Sequence, residues 1–473
     1  VIKLSKQRIV QLIEKYQSEF TDLAKKIWDH PQVAYNEEYA STLQISKLEE
    51  EGFNIQTHIG GIDTAFVAEY GTGKPVIGIL GEYDALPGLS QQVSAVQEEV
   101  VPNGPGHGCG HNLLGTAGVE AVIALKEIMS EKGLSGTIRY YGCPAEEVLS
   151  GKTFMAREGI FQDLDCALTW HPGDSNIVMN MSMQAMVSIK FHFKGITAHA
   201  AGAPHAGRSA LDGVELMNVG TNYLREHVPD GTRIHYVITN GGLAPNVVPD
   251  EASVWYYLRS ATKDQVDRLL SRVENIAKGA AMMTETNVES EIEAYAHETL
   301  PNEHLSGLMY ENMHHASALF FSEKEQDFAK QLVKSIDQKV GNVTGLFGSA
   351  ANDLLPTNFQ YRKEHHGKSI SGSTDVGDVS WITPLGMIST TCAPLGVQLH
   401  SWQATASFGS SIGFKGMHLA AQVMSLTAYD LLVNKDNILV KAIEEFKEST
   451  KDRQYVAGIP EEIRPPIRKK EVT

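Results

Sequence analysis

The stretch Pro75-Val76-Ile77-Gly78-Ile79-Leu80-Gly81-Glu82-Tyr83-Asp84 decides the fold class. Its uncharged run is long enough for a strand, far short of the ~20 residues of a membrane span, and stops abruptly at two acids. A continuous apolar run of this kind suits a strand buried on both faces. Upstream, residues 64–70 read as a second strand, across the turn Gly71-Thr72-Gly73. Downstream, beyond a loop rich in Gln, Pro and Gly, the spacing predicts a helix over 113–129, a strand over 136–143, a short helix over 153–158 and a strand over 166–170. Two further helices open the chain, over 7–29 and 37–51. Strands alternating with helices predict an α/β fold with a mostly parallel sheet covered on both faces. In such sheets chemistry gathers where strands end.

The pattern changes near Met183. Val187, Ile189, Phe191 and Phe193 alternate as in a half-buried strand. A helix (209–226), two strands (234–239 and 253–258), a helix (263–283) and a last strand (288–294) follow. This β-α-β-β-α-β order is that of a ferredoxin-like α+β unit. It predicts a lid domain over 183–300, inserted between the halves 1–182 and 301–473 of a larger domain. The C-terminal half carries a helix over 323–339, a long irregular stretch over 343–373, a strand over 387–393 and a helix over 415–433. An irregular stretch of that length is expected to serve a site. The basic end, Arg464 to Lys470, reads as a solvated tail.

The 473 residues carry 40 Lys+Arg against 57 Asp+Glu, a formal charge of −17. That balance repels phosphate backbones and anionic lipid, and argues against nucleic acid or membrane partners. The start, Val1-Ile2-Lys3-Leu4-Ser5-Lys6, leads into a charged amphipathic helix with no apolar signal core, so a cytoplasmic location is expected. Four cysteines, Cys109, Cys143, Cys166 and Cys392, are too few for a disulfide framework and suit a reducing compartment in which a thiol is free to ligate.

The densest cluster is Gly104-Pro105-Gly106-His107-Gly108-Cys109-Gly110-His111-Asn112, which places a thiol and an imidazole two residues apart on a glycine-rich turn before a helix. Such donors on such a turn suit a metal; an incidental Cys in a glycine loop reads the same stretch about as well. Cys143-Pro144-Ala145-Glu146-Glu147 ends a strand with adjacent carboxylates, either a ligand beside a general base or an exposed acidic turn. Trp170-His171-Pro172 and Leu399-His400-Ser401-Trp402 put a histidine at two more strand ends. A rival reading is a serine hydrolase, since Gly409-Ser410-Ser411-Ile412-Gly413 fits G-x-S-x-G. The sole later histidine, His418, leaves no room for an intervening acid, so that segment reads as a loop capping the last helix.

Taken in order, Gly81-Glu82-Tyr83-Asp84-Ala85-Leu86-Pro87, Gly108-Cys109-Gly110-His111-Asn112, Pro144-Ala145-Glu146-Glu147, His171-Pro172 and His400-Ser401 resemble the motifs of the M20 metallopeptidase family, in its amidohydrolase branch. The likeness covers nearly the whole chain. It includes Gly195-Ile196-Thr197-Ala198-His199-Ala200-Ala201 and Gly241-Gly242-Leu243-Ala244-Pro245-Asn246 in the insert, which resemble the family's lid and dimerisation domain. Three departures stand out: Asn112 and Leu114 where most of the branch has Asp and a further His, Glu82 in place of a metal-binding His, and an inserted loop over 91–103.

The resemblance implies a dinuclear metallohydrolase that cleaves the amide of an N-acyl or N-aroyl amino acid, p-aminobenzoyl-glutamate in particular. An aminoacylase or dipeptidase of the same family, or a subunit inactive without a partner, are the alternatives. It further implies two divalent cations, Mn or Zn, held by Cys109, His111, Glu147, His171 and His400 with Cys109 bridging. Glu146 becomes the general base, and Asp84 orients an imidazole. His199 reaches the reacting carbonyl across a dimer interface, and Asn246 and Arg259 hold the substrate carboxylate. The implied assembly is a homodimer or a heterodimer with a related subunit.

Overall fold

The computed structural model describes residues 2–336 and 353–466. The end of the predicted helix over 323–339, residues 343–352 of the irregular stretch and most of the basic tail lie outside the described residues.

Four strands form the middle of an eight-stranded sheet in the order Gly136–Cys143, Val76–Glu82, Cys166–Gly173 and Leu385–Thr391, all parallel. Val76–Glu82 and Leu385–Thr391 are buried at every position, as expected of strands covered on both faces. The flanks are mixed. Phe66–Thr72 and Asn54–Thr57 extend one side antiparallel, while Asn176–Val178 and Phe359–Gln360 close the other. The helices Ile2–Asp29, His111–Lys132 and Ser411–Val433 share one apolar core with the sheet. His111–Lys132 is buried at every residue from His111 to Leu125, so it runs inside the molecule rather than along its surface. Gly151–Arg157 packs with Val376–Ser380 on a second core. Because the four inner strands are parallel and adjacent, their C-terminal ends lie along one edge of the sheet.

A second, antiparallel sheet has the order Asn287–Ala296, Ala185–Lys194, Glu251–Ser260, Arg233–Asn240. Helices Ala210–Leu224 and Lys263–Thr284 cover one face and enclose a separate core built on Val187, Ile189, Phe191, Val254 and Tyr256. The other face is open. At one end it meets the body of the large sheet through Met186, Ala294 and Ala296, which pack on Leu149 in the turn beyond Gly136–Cys143. Arg233–Asn240 is an edge strand, with no strand on its outer side among the described residues and with Val237 and Ile238 exposed, and the neighbouring helix exposes Leu216, Val219 and Tyr223. Those three follow helical spacing and form one apolar stripe.

The α/β expectation holds, with antiparallel strands confined to the flanks of the large sheet. The pattern did not reveal Asn54–Thr57, Asn176–Val178 or Phe359–Gln360, which are too short to show a period. Nor did it reveal the helices Glu303–Met313, Trp402–Phe408 and Val440–Thr450; in the last, Ala442 is the one fully buried side chain. The helix expected over 415–433 begins at Ser411, where the Ser410 hydroxyl accepts the Ile412 N–H. Among the described residues no helix is long and apolar enough to cross a membrane.

Candidate active site

Glu82 and Asp84, Glu146 and Glu147, and His171 end or closely follow three of the inner strands, and the loop before His111–Lys132 brings Cys109 and His111 to the same edge. His400, expected at a strand end, instead lies in the loop between Leu385–Thr391 and the helix Trp402–Phe408, beside the Ser401 that caps that helix. Asp84 organises this edge. Its Oδ1 accepts the Nδ1–H of His111 at 2.8 Å and its Oδ2 accepts the Glu147 backbone N–H at 2.8 Å. With Nδ1 donating, the Nε2 of His111 is turned into the cluster, buried and without a hydrogen-bond partner; burial opposes a charge on the ring, but Cys109, Asp84 and Glu82 outweigh it and raise its pKa, so the free ring carries a proton that a cation would displace. His171 is fixed likewise: Nδ1–H donates to the Pro172 carbonyl at 2.8 Å, leaving Nε2 at 3.5 Å from Cys109 Sγ. Burial and nearby His111 lower the His171 pKa to about 4, so the ring is neutral. His400 is half-exposed, with Nε2 at 3.3 Å from Glu147 Oε2. Its backbone takes a left-handed φ of 62°, held by its N–H donating to Gly108 O at 2.9 Å. Strain of this kind persists where surrounding structure over-determines it.

The turn bearing Glu146 and Glu147 is set from several sides. Ala145 has a φ of 58°, unfavourable for a residue with a Cβ. The buried Glu37 carboxylate accepts the N–H groups of Tyr35 and Ala145, each at 2.9 Å, and the Thr64 hydroxyl at 3.0 Å. Gly151 closes the turn so tightly that a Cβ there would lie 1.7 Å from Pro144 O. Behind Glu82 sits Lys152, fully buried, with Nζ at 2.6 Å from Glu82 Oε1 and 2.7 Å from Asp375 Oδ1. Burial opposes its charge, but Asp375 and Glu82 outweigh burial and raise its pKa. Glu146 is buried with Oε2 at 3.8 Å from His111 Nε2; burial first, then the Glu82 charge, pushes its pKa well above the carboxylate range.

The donor atoms fall into three sets, each with its atoms within 4.8 Å of one another: Cys109, His111 and His171; Cys109, Glu147 and His400; Glu82, His111 and Glu146. The first two share Cys109, the arrangement a bridging thiolate requires. Glu147 Oε1 and Glu82 Oε2 are buried without partners, like His111 Nε2. Glu82 Oε2 and His111 Nε2 lie 3.2 Å apart. A carboxylate oxygen and a ring nitrogen so close are joined by a proton on Nε2 or by a cation that replaces it. Nitrogen, sulfur and carboxylate donors at this spacing fit divalent cations of the Zn or Mn type.

The structure thus brings together Cys109, His111, Glu147, His171, His400, Asp84 and Glu146. It does not join His199, Asn246 or Arg259 to them: among the described residues none of these makes a hydrogen bond or ion pair with the cluster. His199 and Asn246 are exposed neighbours on two loops of the second sheet, where the Ala200 N–H meets Asn246 O at 3.0 Å. The His199 Nδ1 accepts the N–H groups of Ala201 and Gly202, which leaves Nε2–H as a donor. Arg259 lies on the open face, in register with Met186. The sequence pattern did not single out Glu37, Lys152 or Asp375. Asn112 has a structural reason: its amide donates to Phe408 O at 3.1 Å, which a carboxylate cannot do. Ser411 donates to Glu325 at 2.6 Å, while His418 faces Glu120 and Thr21, so no serine–histidine pair exists there.

A strand-end edge lined with such donors defines the class, a metal-dependent hydrolase on an α/β sheet. The peptidase dimerisation domain of the M20 family matches residues 183–283. The chain is 41% identical to a p-aminobenzoyl-glutamate hydrolase subunit of Escherichia coli (strain K12), over 96% of this chain and 97% of that one. It superposes on the aminobenzoyl-glutamate utilization protein of Klebsiella pneumoniae with a TM-score of 0.61 at 16% identity, covering 89% and 97% of the two chains. It superposes on a dinuclear metal-binding M20 peptidase of Bacillus subtilis with a TM-score of 0.58 at 16% identity, covering 89% and 99%. The chain belongs to the M20 family, and it is a hydrolase of amide bonds.

Proposed function

We propose that the chain hydrolyses an N-aroyl amino acid, p-aminobenzoyl-glutamate, to the aromatic acid and glutamate. The observation that carries this reading is the pair of donor sets sharing Cys109 beside a buried carboxylate, Glu146, in a chain 41% identical to a hydrolase subunit named for that substrate. Cys109, His111, Glu147, His171 and His400 hold two divalent cations; when bound, these polarise the scissile carbonyl and make water a stronger acid. Asp84 keeps His111 in the ligating tautomer. Glu146 takes the proton of the attacking water and delivers it to the leaving nitrogen, a shuttle worth ~10² to 10⁴ in rate. Its burial favours the protonated form, which suits the delivery step.

Residues 183–300 act as lid and dimerisation domain on a body of 1–182 and 301–473. Two copies pair through the edge strand Arg233–Asn240 and the stripe of Leu216, Val219 and Tyr223, which together leave an apolar surface uncovered. In that dimer the His199 of one copy donates Nε2–H to the oxyanion in the other, and Asn246 and Arg259 hold the substrate's α-carboxylate. The relative's name as a subunit makes a heterodimer the alternative. Four free buried thiols suit the cytoplasm.

The test is amino-acid release by the purified chain alone, stripped of metal and restored with Mn or Zn, across N-aroyl and N-acyl amino acids and dipeptides. Metal-dependent glutamate release from p-aminobenzoyl-glutamate is expected. Cleavage of another amide instead moves the substrate, and silence that ends on adding a second, related subunit establishes the heteromer.

A further inference from the structure

The open face of the second sheet has two unlike halves. On Ala185–Lys194 and Asn287–Ala296 every base faces an acid: Lys190 pairs with Glu293, Lys194 with Glu289 at 3.5 Å, and His192 with Glu291 at 3.8 Å. On the other two strands Arg259 and Arg233 stand opposite each other in register, with His235 opposite Tyr257 next along. Among the described residues neither arginine has an ion-pair partner. Arg233 donates to the Thr232 carbonyl, and Arg259 lies over the Tyr257 ring with its Nε buried and unsatisfied. Burial, then the guanidiniums of Arg259, Arg225 and Arg233, lower the His235 pKa.

Like charges directly opposite one another weaken a strand pair. A chain with 57 acids against 40 bases supplies counter-charges to one half of this face and none to the other. An anion seated there satisfies both guanidiniums, whose planar forks match carboxylates. The place is also apt. Met186, the register partner of Arg259, packs on Leu149, two residues past Glu147. Adjacent strands lie ~4.8 Å apart. The two carboxyl carbons of an extended glutamate are separated by about 5 Å, four carbon–carbon bonds of ~1.5 Å each.

We propose that Arg233, with His235 beside it, binds the side-chain carboxylate of a dicarboxylic amino acid whose α-carboxylate Arg259 holds, so that the site selects amides of glutamate over amides of neutral amino acids. This rests on the amidohydrolase reading above. The test has a binding arm and a kinetic arm, both on the full chain. Calorimetry with glutarate and with butyrate compares the native protein with Arg233→Ala and Arg233→Lys. Kinetics compare kcat/KM on p-aminobenzoyl-glutamate and p-aminobenzoyl-norvaline.

Arg233→Ala is expected to weaken glutarate about ten- to a hundred-fold, with butyrate much less affected, and to collapse the glutamate-over-norvaline ratio by the same factor. Arg233→Lys keeps part of both. Glutarate bound through Arg233 by a chain that cleaves no glutamate amide leaves the pocket standing and removes the reaction. Glutamate amide cleavage with a ratio and a glutarate affinity indifferent to Arg233→Ala removes the pocket and leaves the reaction. Neither binding nor cleavage overturns both.

Discussion

The strand-end cluster and the loops of the second sheet represent opposite ways of building a site. His111 and His171 each have one ring nitrogen committed to a carboxylate or carbonyl, so the other arrives already aimed. His199 and Asn246 stand in solvent, and no contact with the cluster fixes them. The first half assembles within one chain. On the proposed reading, the second half acts only after closure or beside another copy. Preorganisation of this kind is where electrostatic stabilisation of a reaction originates, so the two halves should fail differently when altered.

The largest contrast is expected at Glu146. Glu146→Gln should keep its full metal content and lose ~10² to 10⁴ in kcat; a Gln variant with native turnover would sink the base assignment. Next is His199→Ala, expected to lose ~10² to 10³ in kcat with metal content unchanged. Mixing His199→Ala with Glu146→Gln after subunit exchange should restore about a quarter of native activity, because half the dimers are hybrids with one complete site each. Failure of the mixture to recover would place His199 in its own chain's site and erase the distinction between the halves.

Glu37→Ala should cost roughly 10- to 100-fold in kcat with little change in KM, since it frees the backbone that aims Glu146. Adding Ala145→Gly, which takes the left-handed conformation without steric cost, should recover part of the loss. No recovery would reduce Glu37 to a core carboxylate.

Metal affinity should rise with pH by up to about tenfold per unit for each proton displaced. The sign follows from Cys109: burial and the Glu147 charge hold its thiol above the ordinary range, so the free protein carries a proton that a cation must expel. Titrations in two buffers of different ionisation heat would reveal that release, and its absence would deny Cys109 a ligand's role. The smallest effect is closure of the second sheet over substrate, visible as a contraction in solution scattering with a bound analogue; identical profiles would count against a moving lid.

What the sequence made legible was chemistry carried by side chains at strand ends. Glu82, Asp84, Glu146, Glu147 and His171 stand out because apolar runs stop at or just before them. The inner strands were legible for the same reason, as uncharged runs that only a sheet covered on both faces accommodates. Glu37 and Asp375 left no trace because they act on backbone N–H groups distant in sequence, 108 residues away for Glu37 and Ala145 and 223 for Asp375 and Lys152. Lys152 was hidden by its type: a lysine reads as surface, and only its two carboxylate partners explain its burial. The unlike halves of the second sheet were equally invisible, since register, not spacing, sets Arg233 against Arg259.

Gly151 gives the molecule an unexpected genetic profile. It touches no ligand and bears no side chain, yet a single methyl group there drives into the Pro144 carbonyl and forces open the turn that presents Glu146 and Glu147. In a saturation screen for activity it should be as intolerant as the ligands themselves, with no allele spared, whereas Glu147 should still admit another donor. A loss-of-function map of this protein would therefore point to a residue that performs no chemistry.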